Sequence, residues 1–217
     1  MPSRAILFDL DGTLLNPLVG LVNAYRYMCK ALGIPEISDR EVRSLIGPPI
    51  QEALAKKFHF EGAEADVAVK VHREYYGSRG IHEFTKYPGT DELLEDLKEL
   101  GFSLYITTSK PTVYAREMVT NAGWAGRFAG ISGAELDGSV RHKADVIEQV
   151  LQGMQRDEAA VVLVGDRAED VYGARSNGIP CIGVDWGFGS AEELLSAGAS
   201  IVVSSCEELL ETLSPMC

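Results

Sequence analysis

Residues 5–13 read AILFDLDGT, so an apolar run comes directly before two acidic residues and a glycine. Residues 5–10 have the nearly continuous apolar character of a strand that is covered on both faces, as in parallel sheets. Asp9 and Asp11 are two residues apart, so their side chains point to the same side of an extended chain. Carboxylates held that close repel each other unless a cation or a proton lies between them. The stretch therefore predicts a buried strand that ends in an acidic site.

Short apolar runs alternate with helical patterns along the rest of the chain. Further strands are predicted at residues 103–107, 160–164 and 181–184, with weaker candidates at residues 128–132 and 201–203. Three serines that are followed by glutamate at the third position predict capping boxes: Ser38 with Glu41, Ser190 with Glu193, and Ser205 with Glu208. Alternating strands and helices predict right-handed crossovers and a doubly wound, mostly parallel α/β sheet, that is, a Rossmann-like core.

One region interrupts this alternation, because residues 18–76 show only helical periodicity. An apolar stripe begins at Leu18 and ends before Gly33, and another helix is predicted at residues 64–76. We therefore expect a small α-helical cap domain at residues 16–86. It would be inserted into a catalytic core that is formed by residues 1–15 and 87–217.

Length and charge limit the classes of function. The chain has 217 residues and a formal net charge of -12, which is the opposite of what a nucleic-acid backbone attracts. No apolar stretch approaches the roughly 20 residues that span a bilayer, and the apolar segment near the N-terminus is too short for a signal-peptide core. We expect a cytoplasmic protein that binds neither nucleic acid nor membrane. The sequence does not distinguish a monomer from a homodimer.

Polar residues follow several predicted strands, at the edge where open α/β sheets bind ligands. Thr108 and Ser109 follow the strand at residues 103–107, and their hydroxyl groups can donate to an anionic oxygen. Asp166 and Asp170 follow the strand at residues 160–164, and their spacing allows them to share one face of an opening helical turn. Lys143 opens a helical pattern between these two segments. Each signal is modest alone, and their order along the chain strengthens them.

With these polar motifs in this order along the chain, the sequence resembles the haloacid dehalogenase-like hydrolases, and among them the phosphoglycolate-phosphatase-like group. The resemblance covers nearly the whole chain. The segment at residues 9–13 matches the first family motif, and the helical insert matches the cap domain. Thr108 matches the second motif, Lys143 the third, and Asp166 with Asp170 the fourth. Residues 87–89 and 186–189 are similar to the return into the core and to a late loop of that group.

The resemblance implies a phosphatase with Asp9 as the nucleophile and an aspartyl-phosphate intermediate. Asp11 would act as general acid and base. Mg²⁺ would be bound by the Asp9 carboxylate, the Asp11 backbone carbonyl and Asp166, with Asp170 as a further ligand or as a residue that orients the others. Residues that would contact the substrate, a small phosphorylated metabolite, are Thr108, Ser109 and Lys143 at the phosphoryl group and Gly47 and Pro48 in a cap loop.

Some features depart from the family pattern or have no assigned role. Asn16 and Pro17 stand where an acidic residue and a serine are frequent. Arg167 replaces a small hydroxyl residue, and it either pairs with Asp170 or a neighbouring acid or faces solvent. Lys110 has no assigned role. The four histidines are predicted to be surface or cap residues, and only His142, next to Lys143, is a candidate to lie near the site.

Several functions stay open within and outside the family. A dehalogenase would attack carbon without a metal, and the presence of Asp11 argues against it. A phosphosugar mutase would use the same core residues, and only the cap would distinguish it from a phosphatase. A non-catalytic, receiver-like module that is phosphorylated on aspartate does not explain the helical insert. The candidate substrates are phosphoglycolate, nucleoside monophosphates, pyrophosphate and sugar phosphates.

Overall fold

The structure is a computed structural model that describes residues 3–140, 142–154 and 158–216. Its strands are β1 (Ser3–Phe8), β2 (Leu15–Asn16), β3 (Thr85–Lys86), β4 (Phe102–Pro111), β5 (Gly130–Ala134), β6 (Glu158–Gly165), β7 (Cys181–Val184) and β8 (Ile201–Val203). Its helices are α1 (Leu18–Leu32), α2 (Asp39–Arg43), α3 (Ile50–Phe58), α4 (Gly62–Tyr76), α5 (Thr90–Glu99), α6 (Thr112–Asn121), α7 (Lys143–Gly153), α8 (Ala168–Ser176), α9 (Ala191–Ala197) and α10 (Cys206–Leu213). Within these ranges, no helix is long and apolar enough to cross a membrane.

Six strands form the main sheet in the order β5-β4-β1-β6-β7-β8, and all neighbouring strands are parallel. The chain proceeds from β1 to β4 and β5 on one side, and then crosses to β6, β7 and β8 on the other. This is the strand order of doubly wound Rossmann sheets. The order in which the chain adds strands to the sheet reverses between β1 and β6. The predicted fold class is confirmed. The carboxyl ends of β1 and β6 therefore border the crevice where such sheets bind ligands.

Strand β1 is covered by helices on both faces. Ile6 and Phe8 belong to one apolar cluster, which also contains residues of α5 and α6. Leu7 points to the other face, where it packs with Ile147 of α7 and Val171 of α8. All three β1 side chains are fully buried. Because each fully buried side chain of this size contributes about 1.5–3 kcal/mol, the central strand is firmly fixed and positions the residues that follow it.

Along the chain, helices α1 to α4 lie between β2 and β3, and they form a layer separate from the main sheet. They have their own apolar cluster, which includes Met28, Leu54 and Val69. The short strands β2 and β3 pair in antiparallel fashion at the root of this insert. Asn16 accepts a hydrogen bond from the backbone N–H of Leu18 at 3.1 Å, so this departure from the family pattern supplies a partner for the first N–H group of α1. The domain limits, 16–86 for the cap and 1–15 with 87–217 for the core, stay a prediction.

The structure corrects some local expectations. Strand β4 continues to Pro111, four residues beyond its predicted end, so residues 108–110 lie within it. Of the three predicted capping boxes, only the one that begins at Ser38 is complete. Ser190 and Ser205 accept hydrogen bonds from the backbone as expected, but their glutamates bind elsewhere. Glu193 accepts from Arg167 and from Ala168, and Glu208 accepts from the backbone of Ser204.

Candidate active site

Three buried carboxylates meet at the point where the strand order reverses. Asp9 directly follows β1, Asp166 directly follows β6, and Asp170 lies in the first turn of α8. One oxygen atom from each lies within 4.8 Å of the others. Their exposures are 7%, 0% and 2%, so the cluster is largely shielded from water. The sheet thus brings together carboxylates that are distant in sequence.

The carboxylate of Asp166 is held by the loops around it. The backbone N–H of Phe188 donates to its Oδ2 at 2.7 Å, and the Thr13 hydroxyl lies 3.4 Å from its Oδ1. Gly12 has a φ of 94°, and a Cβ atom at this position would collide with the Asp166 carboxylate. The glycine of the first motif is therefore required both by its backbone conformation and by the close approach of Asp166.

The electrostatics of this cluster fit a divalent cation. Burial raises the pKa of Asp166 well above its ordinary value, and the charges of Asp9 and Asp170 raise it further. Burial likewise raises the pKa of Asp170 to about 6, although the Lys143 charge opposes the shift. A buried donor set made only of oxygen atoms suits a hard cation such as Mg²⁺, which would relieve the repulsion among these groups.

Lys143 connects the carboxylates to β4. Its Nζ lies 2.6 Å from Asp9 Oδ1 and 2.7 Å from Asp170 Oδ1, and it donates to the Thr107 carbonyl at 2.7 Å. Burial alone would lower the pKa of Lys143, but the charges of Asp170 and Asp9 raise it above its usual value. The side chain is therefore a fixed cation. A Cβ at Gly173 would lie 2.8 Å from Lys143 Cγ, so this glycine leaves room for the lysine stem.

Asp170 also orders the loop that precedes α8. Its Oδ2 accepts hydrogen bonds from the backbone N–H groups of Asp166 and Arg167, both at 3.1 Å. Its other oxygen is the one that pairs with Lys143. Asp170 thus positions both the Asp166 segment and the lysine. This arrangement agrees with the two alternatives that the sequence left open for it, a metal ligand or a residue that orients the ligands.

A second buried ion pair joins the core to the cap. Lys110 Nζ lies 2.7 Å from Asp11 Oδ2, and it also donates to the hydroxyl of Tyr76 on α4. Asp11 Oδ1 is buried and has no hydrogen-bond partner in the part of the chain that the structure describes. Burial raises the pKa of Asp11, with Lys110 opposing the shift. Lys110, which had no assigned role, therefore holds one oxygen of Asp11 and leaves the other free.

A cavity of about 130 Å³ lies between the core and the cap. Its core side includes Asp9 and Asp11, and its cap side includes rings of α1 and α4. The predicted substrate-contacting residues that line it are Gly47, Pro48, Thr108 and Ser109. Lys143 reaches the site through its contact with Asp9. The structure thus brings the predicted core residues and the predicted cap loop to one place.

Two arginines link the cap loop and the core beside this cavity. Arg167 Nε lies 2.9 Å from Glu193 Oε1, and its guanidinium also donates to the Ile46 carbonyl in the cap. Of the alternatives left open for Arg167, the one in which it pairs with a neighbouring acid is the one observed. Arg43 of the cap donates to the Gly187 carbonyl, and its guanidinium carbon lies 4.9 Å from the centre of the Phe188 ring.

The histidine expectations are only partly correct. His142 Nδ1 lies 3.6 Å from Glu52 of the cap, and its side chain is mostly exposed. His72 is a cap residue as expected, but it is buried and lines the cavity. The helical stripe of α4 did not reveal this, because the pattern indicates only that a residue is buried and not what it faces.

Comparison with known proteins agrees with this geometry. The family model for haloacid dehalogenase-like hydrolases matches residues 6–184. A 5'-nucleotidase from Pseudomonas aeruginosa is 39% identical over 189 residues, which cover 87% of this chain and 86% of that protein. The tyrosine-protein kinase PtkA from Mycobacterium tuberculosis is 33% identical, over 97% of this chain and 72% of the other.

Further relatives cover nearly the whole chain. A phosphoglycolate phosphatase from Vibrio parahaemolyticus is 26% identical over 97% of this chain and 96% of its own length. The crystal structure of a predicted phosphatase from Clostridium acetobutylicum superposes with a TM-score of 0.92 at 35% identity. The matched regions cover 98% of this chain and 99% of that one. The similarity therefore includes the cap as well as the core.

Proposed function

Because the chain belongs to the haloacid dehalogenase-like hydrolases and is a phosphoric monoester hydrolase, we propose that it is a Mg²⁺-dependent phosphatase with Asp9 as its nucleophile. The substrate is a small phosphate monoester, either phosphoglycolate-like or a nucleoside monophosphate. The observation that carries the proposal is the position of Asp9. Its carboxylate lies at the reversal of the strand order and lines the cavity, with Lys143 at 2.6 Å.

In the first step Asp9 attacks the phosphorus atom, so that an Asp9–phosphate bond forms and the bond to the ester oxygen breaks. Lys143 offsets the negative charge near the nucleophile, and its contact with Asp170 fixes its direction. Thr108 and Ser109 border the same cavity and donate hydrogen bonds to the phosphoryl oxygens. The products of this step are the leaving alcohol and an aspartyl-phosphate.

Asp11 supplies and removes the protons. Burial raises the pKa of Asp11, and its Oδ1, which Lys110 does not hold, is the oxygen that donates a proton to the departing oxygen. In the second step water attacks the phosphorus atom and the ionised Asp11 carboxylate accepts a proton from it, so that the Asp9–phosphate bond breaks and inorganic phosphate leaves. Lys110 keeps the carboxyl group oriented through these steps, because it holds Oδ2 at 2.7 Å.

Mg²⁺ would be held by the carboxylates of Asp9 and Asp166 and by the Asp11 carbonyl, with Asp170 as a further ligand or as the group that orients them. When bound, it neutralises the charge of the nucleophile and of the phosphoryl group. The cap loop at Gly47 and Pro48 closes the cavity and excludes water from the aspartyl-phosphate.

A panel of phosphate esters tests the proposal. Phosphate release is measured with and without Mg²⁺ for the wild type and for Asp9→Asn, with the exposed Asp66→Asn as the matched control. We expect release that requires Mg²⁺, is unchanged in Asp66→Asn, and falls roughly 10⁴-fold or more in Asp9→Asn. Release that survives Asp9→Asn would remove the central claim. Conversion of one sugar phosphate into its isomer, without phosphate release, would favour a mutase.

A further inference from the structure

The cap contributes one buried polar side chain to the cavity that the steps above do not use. His72 on α4 is 4% exposed and lines the cavity. Neither of its ring nitrogens has a hydrogen-bond partner among residues 3–140, 142–154 and 158–216. Its ring lies edge-on to the Tyr25 ring, with 4.9 Å between the ring centres. It is stacked on the Tyr76 ring, with 5.8 Å between the centres. The imidazole is thus held by aromatic contacts while its polar atoms are left unpaired.

Such an arrangement is unfavourable unless a ligand completes it. Buried polar groups in native proteins nearly always have partners, and an unpaired one requires an explanation. Burial lowers the pKa of His72 to about 3, and the Lys110 and Arg73 charges act in the same direction. The ring is therefore neutral, with one nitrogen that donates and one that accepts. A hydroxyl group, which also both donates and accepts, can pair with either of these nitrogens.

The surrounding charges indicate that the partner is uncharged. The charge of Lys110 is already balanced by Asp11 at 2.7 Å. Arg73 also lines the cavity, but it is partly exposed, so water screens its charge, and it donates to the Leu136 carbonyl. In the described residues, the cap side of the cavity therefore has no buried cation that is free to pair with a second anion.

Position relates His72 to the departing group. Tyr76 stacks on His72 and its hydroxyl accepts from Lys110, which in turn pairs with the general acid Asp11. His72 is therefore connected to the group that protonates the leaving oxygen through Tyr76 and Lys110. The cavity of about 130 Å³ is small compared with the roughly 300–1,000 Å³ of sites for drug-sized ligands, so it suits a compact group.

We infer that His72, held between Tyr25 and Tyr76, is a subsite for the leaving alcohol and selects an uncharged alcohol that carries a further hydroxyl group, as a sugar does. This inference rests on the proposed phosphatase function and makes its substrate class narrower. The ribose of a nucleotide and a free sugar phosphate share this chemistry, whereas phosphoglycolate does not, because its leaving alcohol carries a carboxylate.

The test compares kcat/KM for ribose 5-phosphate, a nucleoside 5'-monophosphate, 2-phosphoglycolate and p-nitrophenyl phosphate. The variants are His72→Phe, which keeps the ring, and His72→Gln, which restores a donor and an acceptor. We expect the wild type to prefer the ribose esters to 2-phosphoglycolate. His72→Phe should lower kcat/KM for the ribose esters roughly 10–100-fold and change p-nitrophenyl phosphate less than about threefold, and His72→Gln should recover part of the loss.

Stability provides a second readout. Removal of two unpaired nitrogens should leave the melting temperature of His72→Phe unchanged or raise it by roughly 2–4 °C. A histidine with a purely structural role would instead lower the melting temperature in both variants and reduce activity on all esters equally. That result, or a wild-type preference for 2-phosphoglycolate, would overturn the inference.

Failure of the phosphatase proposal can be told apart from failure of the subsite. If no ester is hydrolysed, the proposed function fails, and the subsite is judged by calorimetric titration of ribose 5-phosphate into the Asp9→Asn protein with Mg²⁺. Binding that weakens roughly tenfold or more in Asp9→Asn/His72→Phe would support the subsite. Equal binding by both proteins, or no binding by either, would overturn it.

Discussion

The two sides of the cavity are built in different ways. On the core side, charged groups such as Lys143 and Asp9 pair at 2.6 Å although they are 134 residues apart in sequence. On the cap side, Tyr25, His72 and Tyr76 are rings on two helices, and the histidine nitrogens are unpaired. The core side depends on the topology of the whole sheet, whereas the cap side depends on local helix faces. Changes on the core side should therefore affect every ester, and changes on the cap side should distinguish between esters.

Lys143→Met should give the largest effect that tests this contrast. The variant removes the cation that lies between Asp9 and Asp170 and leaves two buried carboxylates without their partner. We expect kcat to fall roughly 10²–10³-fold, and we expect the factor to be similar for every ester. Steady-state kinetics on the ester panel measures this, with the exposed Lys70→Met of α4 as the matched control. A loss confined to one ester would mean that Lys143 reads the leaving group, and the contrast would fail.

The sequence predicted the core side better than the cap side for the same physical reason. Parallel strands are continuous apolar runs, so residues 5–10 and 160–164 could be recognised, and the polar residues after them follow from the topology. The two-residue strands β2 and β3 are too short to show a period. The partners of Lys110 could not be predicted, because Asp11 meets it only when β1 and β4 pair in the sheet, and Tyr76 meets it only when the cap packs on the core.

The next prediction concerns the acidic cluster and stability. The pKa of Asp170, raised by burial to about 6, means that proton binding stabilises the metal-free fold below pH ~4, and that this contribution is lost as the pH rises through about 6. The loss is about 3 kcal/mol at most. Mg²⁺ should offset it, so that urea unfolding shows a larger stabilisation by Mg²⁺ at pH 7.5 than at pH 5.

Two results would decide this prediction. Asp170→Asn removes the titrating group, so its metal-free stability should change less between pH 5 and pH 7.5 than that of the wild type. Asp166→Asn removes a carboxylate from the cluster and should reduce the effect of Mg²⁺ at pH 7.5. Equal stabilisation by Mg²⁺ at both pH values in the wild type would show that these carboxylates do not form the metal site.

Gly47→Ala should have an intermediate effect, and it acts from the cap side. Gly47 has a φ of 120°, and a Cβ atom there would lie 3.1 Å from Arg167 Cγ. The strain of about 1–3 kcal/mol should displace the cap loop and raise KM roughly tenfold with little change in kcat. Gly62→Ala is a matched control, because its φ is 53° and nothing lies within 4 Å of an added Cβ. An equal KM increase in both variants would mean that the loop at Gly47 has no special role.

Arg167→Ala should have the smallest effect, and it tests how strongly the two sides depend on each other. The arginine contacts Glu193 in the core and the Ile46 carbonyl in the cap, and the ion pair is partly exposed. Such pairs contribute about 0.2–1 kcal/mol, so KM should rise only about two- to fivefold and kcat should stay nearly constant.

Glu193→Gln separates the two contacts of Arg167, because it removes the charge that faces the arginine but keeps an oxygen that can accept from the backbone of Ala168. If the cap contact is the important one, Glu193→Gln should change KM less than Arg167→Ala does. If kcat of Arg167→Ala fell as much as kcat of Lys143→Met, closure of the cap would instead control the chemical step. The core and cap sides of the cavity would then act as one unit, and selectivity could not be altered in the cap without loss of rate.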